Sequence, residues 1–216
     1  MKRLLLLFAA ILMASTGMWA ETVDYLYPVY NTDGVPTSGI KEWKTASVDA
    51  TVVTDASEQV TWGTTGTTTW YVVTGADVTL SKGAVCQGDV HLILADGAKL
   101  TATGTINAPG IKVSGEGNSL TIYGQTDQTG ILKATAYDGA GIGGERDKIG
   151  SNITINGGSI TAMSTHAAGI GGGFHGKGSN IHINGGTVTA IGGSEACAIG
   201  GGFLVEALTF MSLVII

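Results

Sequence analysis

Two acid–imidazole pairs are the first feature of this 216-residue chain that could do chemistry. Asp138 and His166 stand 28 residues apart, and so do Asp147 and His175. A carboxylate beside an imidazole is a general acid–base arrangement, and two carboxylates flanking a sugar bond are the tools of glycoside hydrolysis. Such groups could equally hold a cation or hydrogen-bond a sugar. Glu195 falls close to the first pair one step further along the chain. The plainer account is a set of exposed loop charges forming weak pairs, each worth under about 1 kcal/mol. A second candidate set is aromatic: Trp62, Trp70 and Tyr71, which could stack on the apolar faces of pyranose rings, or could simply cover a hydrophobic end. No constellation stands out as catalytic.

The 28-residue spacing matters because the segments around these pairs repeat at it. Gly150 to Ala162 reads GSNITINGGSITA and Gly178 to Ala190 reads GSNIHINGGTVTA; Ala140-Gly-Ile-Gly-Gly144 returns as Ala168-Gly-Ile-Gly-Gly172. A weaker third copy is Ala198-Ile-Gly-Gly201. A fixed period of this size marks a solenoid, in which each repeat buries its apolar face only by stacking on its neighbours. Within a repeat, Ile153 and Ile155 alternate with Thr154 as a strand does, Asn156-Gly-Gly158 makes a corner, and Ile160 and Ala162 face inward on a second strand. Ala168-Gly-Ile-Gly-Gly172 supplies a third, lean wall carrying only Ile170. The expected fold is therefore all-β: a parallel β-helix of about five coils, with strands in adjacent coils about 4.8 Å apart. Stacking at this period puts Ile153 on Ile181, Ile155 on Ile183, Ile160 on Val188, and lines up Ile142, Ile170 and Ile199. It also places Asn156 on Asn184 as an amide ladder, and Asp138 and Asp147 against their histidines. A β-sandwich is the alternative, and it leaves the constant offset unexplained.

Around the repeats the texture changes. Residues 1–20 read as an export signal: Lys2 and Arg3, an apolar run from Leu4 to Met13, then small residues ending at Ala20. Residues 21–70 are rich in aromatics (Tyr25, Tyr27, Tyr30, Trp43, Trp62 and Trp70) and read as a β-rich cap or linker, with Gly63 to Thr69 as a flexible turn-rich link. Residues 71–202 form the coils. The apolar tail 203–216 is short for a membrane span and reads either as an improvised cap or as the mark of a longer protein cut short. The sequence thus predicts an exported chain, at the cell surface or extracellular, with no stable membrane span. No feature specifies an oligomeric state.

Composition narrows the partners. Glycine makes up 35 of 216 residues, about twice the usual share, and the charged fraction of 13% is about half the usual one. A formal net charge of −6 and the absence of a Lys/Arg stripe argue against nucleic acid. Gly139-Ala-Gly-Ile-Gly-Gly144 matches a dinucleotide fingerprint by letter, but no helix follows it and the repeat accounts for it. Cys86 and Cys197 form no zinc pattern and read as small buried side chains, although an exported chain could pair them. No cofactor and no metal site is expected. Asn152-Ile-Thr154 fits a glycosylation sequon, and His91 and His182 read as surface residues of alternating strands.

The signal segment, Val90-His-Leu-Ile-Leu-Ala-Asp-Gly97, Ser119-Leu-Thr-Ile-Tyr-Gly124 and the Ile-Asn-Gly-Gly/Gly-Ile-Gly-Gly repeats together resemble the Gly/Thr-rich secreted proteins of gut Bacteroidales known as carbohydrate-binding domain-containing proteins. The resemblance covers roughly residues 20–202. It implies a secreted or surface β-helix protein and brings no catalytic residues to transfer. The resulting expectation is a non-catalytic β-solenoid that binds a glycan or acts as an adhesin-like module, with Trp62, Trp70, Tyr71, Asp138, His166, Asp147 and His175 as the candidate sugar contacts. The competing expectation is a β-helical polysaccharide lyase or glycoside hydrolase using the two Asp/His columns. A lyase of that kind gathers acidic residues around calcium with an Arg as base, whereas Arg146 has Glu145 and Asp147 as its sequence neighbours. A bare structural stalk is the third. The loops that differ between copies, at 135–138, 145–148, 163–167 and 174–177, are where function is most to be sought.

Overall fold

A computed structural model describes residues 19–30 and 40–202, together with the backbone of residues 212–215. Most of the expected export signal, and most of the apolar tail, lie outside the described residues. The chain starts as an antiparallel hairpin, β1 (Ala20–Tyr30) and β2 (Ile40–Val52). Five coils follow: β3 (Val60–Val73) with β4 (Val78–Leu80); β5 (Ala84–Leu94) with β6 (Lys99–Thr103); β7 (Ile111–Lys112), β8 (Ser119–Gly124) and β9 (Ile131–Ala136); β10 (Ile142–Gly143), β11 (Gly150–Ile155) and β12 (Ser159–Ser164); and β13 (Ile170–Gly171), β14 (Gly178–Ile183) and β15 (Thr187–Ile191). The strand β16 (Ile199–Gly200) opens a further turn, and β17 (Ser212–Ile215) pairs antiparallel with β15, closing that edge. The structure is a parallel β-solenoid, and no helix occurs among the described residues.

The coils have three walls. The first runs through the N-terminal parts of β3 and β5 and then β7, β10, β13 and β16. The second is made by the C-terminal parts of β3 and β5 followed by β8, β11 and β14, and the third by β4, β6, β9, β12 and β15. Register follows the repeat. Ile153 pairs with Ile181, Ile155 with Ile183, Ile160 with Val188, and Ile142, Ile170 and Ile199 form one column. Leu92, Leu100, Leu120, Leu132, Ile142 and Ile153 are among the fully buried side chains, each worth about 1.5–3 kcal/mol relative to exposure. Cys86 and Cys197 are buried and not in a disulfide; burial pushes the Cys86 thiol well above its ordinary value.

Two polar devices fix the corners. Asn184 Nδ2 donates to Asn156 Oδ1 at 2.8 Å, the expected ladder. A second ladder runs between the first and second walls: Asn152 Nδ2 donates to the Asn118 carbonyl, and Asn180 Nδ2 to Asn152 Oδ1. Asn152 and Asn180 both hold left-handed backbone (φ 58° and 50°), which asparagine tolerates better than most residues. The sequon's asparagine therefore serves as a rung. The first wall needs glycine for a different reason. Gly143 and Gly171 hold φ of 137° and 133°, and a Cβ at either would lie 2.0–2.1 Å from the carbonyl oxygen of the glycine stacked above it.

The N-terminal region departs from the expected cap in two ways. Gly63 to Thr69 is not a free link: β3 passes through it, pairing with β5 on both sides of a bulge between Gly63 and Thr68. The coil register thus begins before residue 71, and the boundary expected at 70 falls within β3. The hairpin, moreover, packs on the flank of the solenoid. Val23 and Ala50 join Val72, Ile93 and Tyr123 in a second apolar cluster outside the coils, with Tyr25, Tyr27, Val48 and Trp70 against it. The open end of the core is covered instead by the segment around Val53, Ala56 and Val60, with Ala56 bridged to Leu80.

Candidate functional site

The four divergent loops converge at one corner of the solenoid, because the first wall between them is only two residues wide in β10 and β13. The loop after β9 carries Tyr137 and Asp138; the loop after β10 carries Glu145, Arg146 and Asp147. One coil later the equivalent loops carry His166, Phe174 and His175. Backbone bonds lock them together: Phe174 N–H donates to the Asp138 carbonyl, Asp147 N–H to that of Phe174, and His166 N–H to that of Tyr137.

Both expected acid–imidazole columns form. His166 Nδ1 lies 2.9 Å from Asp138 Oδ1, and His175 Nδ1 lies 3.2 Å from Asp147 Oδ1. The unexpected member is Arg146. Its Nη1 donates to Asp138 Oδ2 at 2.7 Å, its Nε approaches Asp147 Oδ2 at 3.6 Å, and its guanidinium lies 4.9 Å from the Phe174 ring centroid. Asp138 is 8% exposed, with Arg146 and His166 satisfying one oxygen each; its carboxylate orients the other two. The Tyr137 ring meets His166 edge-on, 4.6 Å between centroids, and is itself 47% exposed. Glu195 follows one coil on, left-handed (φ 59°), in the loop beside His166. Two shallow depressions flank the corner. One of about 530 Å3 runs past Lys112, Glu145, Asp147 and Ile149; one of about 440 Å3 past Thr105, Asn107 and Arg146. Lys112 Nζ pairs with Glu145 at 2.8 Å.

Of the aromatic candidates, Trp62 and Tyr71 are core residues, 4% and 5% exposed, and cannot offer a ring face to a sugar in this arrangement. They pair in register with Cys86 and Leu92, whose side chains point inward, and stack on each other at 5.6 Å. Trp70 pairs with His91 and points outward, but it is covered by Tyr25 of the hairpin at 4.8 Å and flanked by Tyr123 of β8 at 5.4 Å between ring centroids.

That nest contains a polar relay around His91, which is not the surface residue that strand alternation suggests. His91 is largely enclosed, stacked between Trp70 and Tyr123, with Nε2 2.9 Å from Asp89 Oδ2 and Nδ1 3.0 Å from Tyr123 Oη. His182, by contrast, is exposed as expected. A neutral imidazole satisfies both partners, donating from Nε2 and accepting the tyrosine proton at Nδ1. Asp89 also accepts from Ser119 and Thr68. Partial burial pulls its carboxyl upward, but these bonds and His91 outweigh that and hold it below its ordinary value. Burial, with Tyr25 and Asp89 nearby, raises Tyr123. Every group in the relay has a partner within it, so it ties β3, β5 and β8 together beneath the hairpin and leaves the loop corner as the better ligand site. Among the described residues, no group of three or more His, Cys, Asp and Glu side chains is arranged to hold a metal ion.

No curated protein and no solved structure matches this chain. Residues 153–174 and 181–203 each match the model of the beta helix repeat family. The first stretch runs from Ile153 in β11 to Phe174 at the corner, and the second starts at the residue stacked on Ile153. Match and stacking agree that the fold is a parallel β-helix.

Proposed function

We propose that the protein is an exported β-solenoid of the cell surface or extracellular space that binds carbohydrate, without catalysis, at the corner formed by Tyr137, Asp138, Arg146, Asp147, His166 and His175. The observation that carries this reading is the half-exposed Tyr137 ring beside an interlocked Asp–Arg–His network. An aromatic face to stack on a sugar ring, next to planar groups with fixed donors and acceptors for its hydroxyls, is the combination such ligands require. The resemblance to secreted carbohydrate-binding proteins points the same way. Trp62, Tyr71 and Trp70 drop out of the contact set because they are buried or covered.

A glycan array and affinity electrophoresis over plant, mucin and microbial polysaccharides test the reading on the exported chain. Retention of at least one glycan class is expected, falling more than tenfold in both Tyr137→Ala and Arg146→Ala. Silence across all classes would sink it. Release of reducing or unsaturated ends, lost in Asp138→Asn, would replace it with a hydrolase or lyase.

A further inference from the structure

We infer that the corner takes an uncharged glycan, recognised through its hydroxyls and ring face, and excludes acidic polysaccharides; this rests on the carbohydrate-binding reading above. Charge balance carries the argument. The corner and its larger depression hold three carboxylates, Asp138, Glu145 and Asp147, and three cations, Lys112, Arg146 and Lys148. Two of those cations are already committed: Lys112 to Glu145 at 2.8 Å, and Arg146 to Asp138 at 2.7 Å with Asp147 at 3.6 Å.

To use Lys112 or Arg146 an acidic sugar would need one of these pairs to open, and Lys148 lines the same depression as the Glu145 and Asp147 carboxylates. Its carboxylate would compete with Asp138 for an arginine that is held from two sides and seated on the Phe174 ring, and it would approach the exposed Asp147 carboxylate directly. Opening the Asp138 pair would also strip a buried carboxylate of one partner, which is the expensive way to break an ion pair. A neutral sugar makes no such demand. Arg146 keeps further N–H donors beyond those aimed at Asp138 and Asp147, since a guanidinium carries five. His166, donating from Nδ1 to Asp138, leaves Nε2 as an acceptor edge, and Asp147 accepts from hydroxyls. Tyr137 and Ile149, both about half exposed, supply apolar surface on either side of these groups.

Affinity electrophoresis of the exported chain in gels containing a neutral polysaccharide (a glucan, mannan or galactan) or polygalacturonate, at low and high sodium chloride, tests this. The expected result is retention by a neutral gel that changes less than about twofold with salt, since hydroxyl contacts lack the screening of ion pairs. Retention by polygalacturonate is expected to be weak until the double variant Glu145→Gln/Asp147→Asn frees Lys112 and removes the Asp147 charge beside Arg146, raising it at least tenfold at low salt. Stronger retention by polygalacturonate than by any neutral gel in the unaltered chain, abolished by salt, would overturn this inference and leave carbohydrate binding standing. Absence of retention in every gel, with circular dichroism confirming a folded chain, would overturn both.

Discussion

Replacing Gly171 by alanine tests the tightest contact of the solenoid. Gly171 sits in the two-residue wall at φ 133°, a region essentially confined to glycine, so a side chain there costs about 1–3 kcal/mol in backbone strain alone. The added Cβ would also lie 2.1 Å from the Gly200 carbonyl oxygen. Ordinary contact begins at 3.4 Å, so the next coil must retreat by about 1.3 Å. That retreat breaks the bond from Gly172 N–H to the same oxygen, now 2.8 Å, and leaves buried backbone groups unpaired at about 1–3 kcal/mol. The sum is about 4 kcal/mol. Gly97→Ala is the control: it too has positive φ (77°), but nothing lies within 4 Å of its Cβ, so strain alone applies, about 1–2 kcal/mol. Urea unfolding followed by far-ultraviolet circular dichroism should show a midpoint shift for Gly171→Ala at least twice that for Gly97→Ala, at unchanged slope. Equal shifts would refute the claim that glycine in this wall is required by coil approach.

Two further outcomes follow from polar contacts. Asn184→Ala removes the 2.8 Å rung to Asn156, which is itself buried, and should lower stability by about 1–2 kcal/mol in the same urea assay; a loss below about 0.3 kcal/mol would show that the ladder is decorative. Asp89 has a folded-state pKa held below its ordinary value of about 3.9. Its contribution is therefore fully present above that ordinary value and is lost as pH falls through the lower folded-state value. Acid unfolding of Asp89→Asn should show a shallower loss of stability with falling pH below about pH 4 than the unaltered chain; identical acid limbs would refute the relay.

Much of the fold and half of the site are written in the repeat. Where two copies keep a strict 28-residue offset, stacking predicts side-chain neighbours directly, as it did for Ile153 with Ile181, Asn156 with Asn184, Asp138 with His166 and Asp147 with His175. The bridge from Arg146 to Asp138 was harder to see because it lies within one coil, across a wall whose two-residue width closes eight residues of sequence into a 2.7 Å contact. The signal was present in the brevity of Ala140-Gly-Ile-Gly-Gly144. The Asp89–His91–Tyr123 relay gave no such signal: the early coils differ in length, so β5 pairs with β8 at a different offset from that of β8 with β11 or β11 with β14. Composition marks Trp62 and Tyr71 as aromatic but not which face they take. Pairing with Cys86 and Leu92 settles that they point inward.

The chain has four histidines, and the structure separates them cleanly: His166 and His175 at the loop corner, His91 inside the hairpin nest, and His182 exposed on the second wall. Imidazole signals in a nuclear magnetic resonance titration with a neutral oligosaccharide therefore report directly on where a sugar binds. The account predicts saturable shifts of the His166 and His175 signals, with His91 and His182 unmoved. Shifts confined to His91 or His182, or no saturable shift at any of the four across neutral and acidic oligosaccharides, would contradict it.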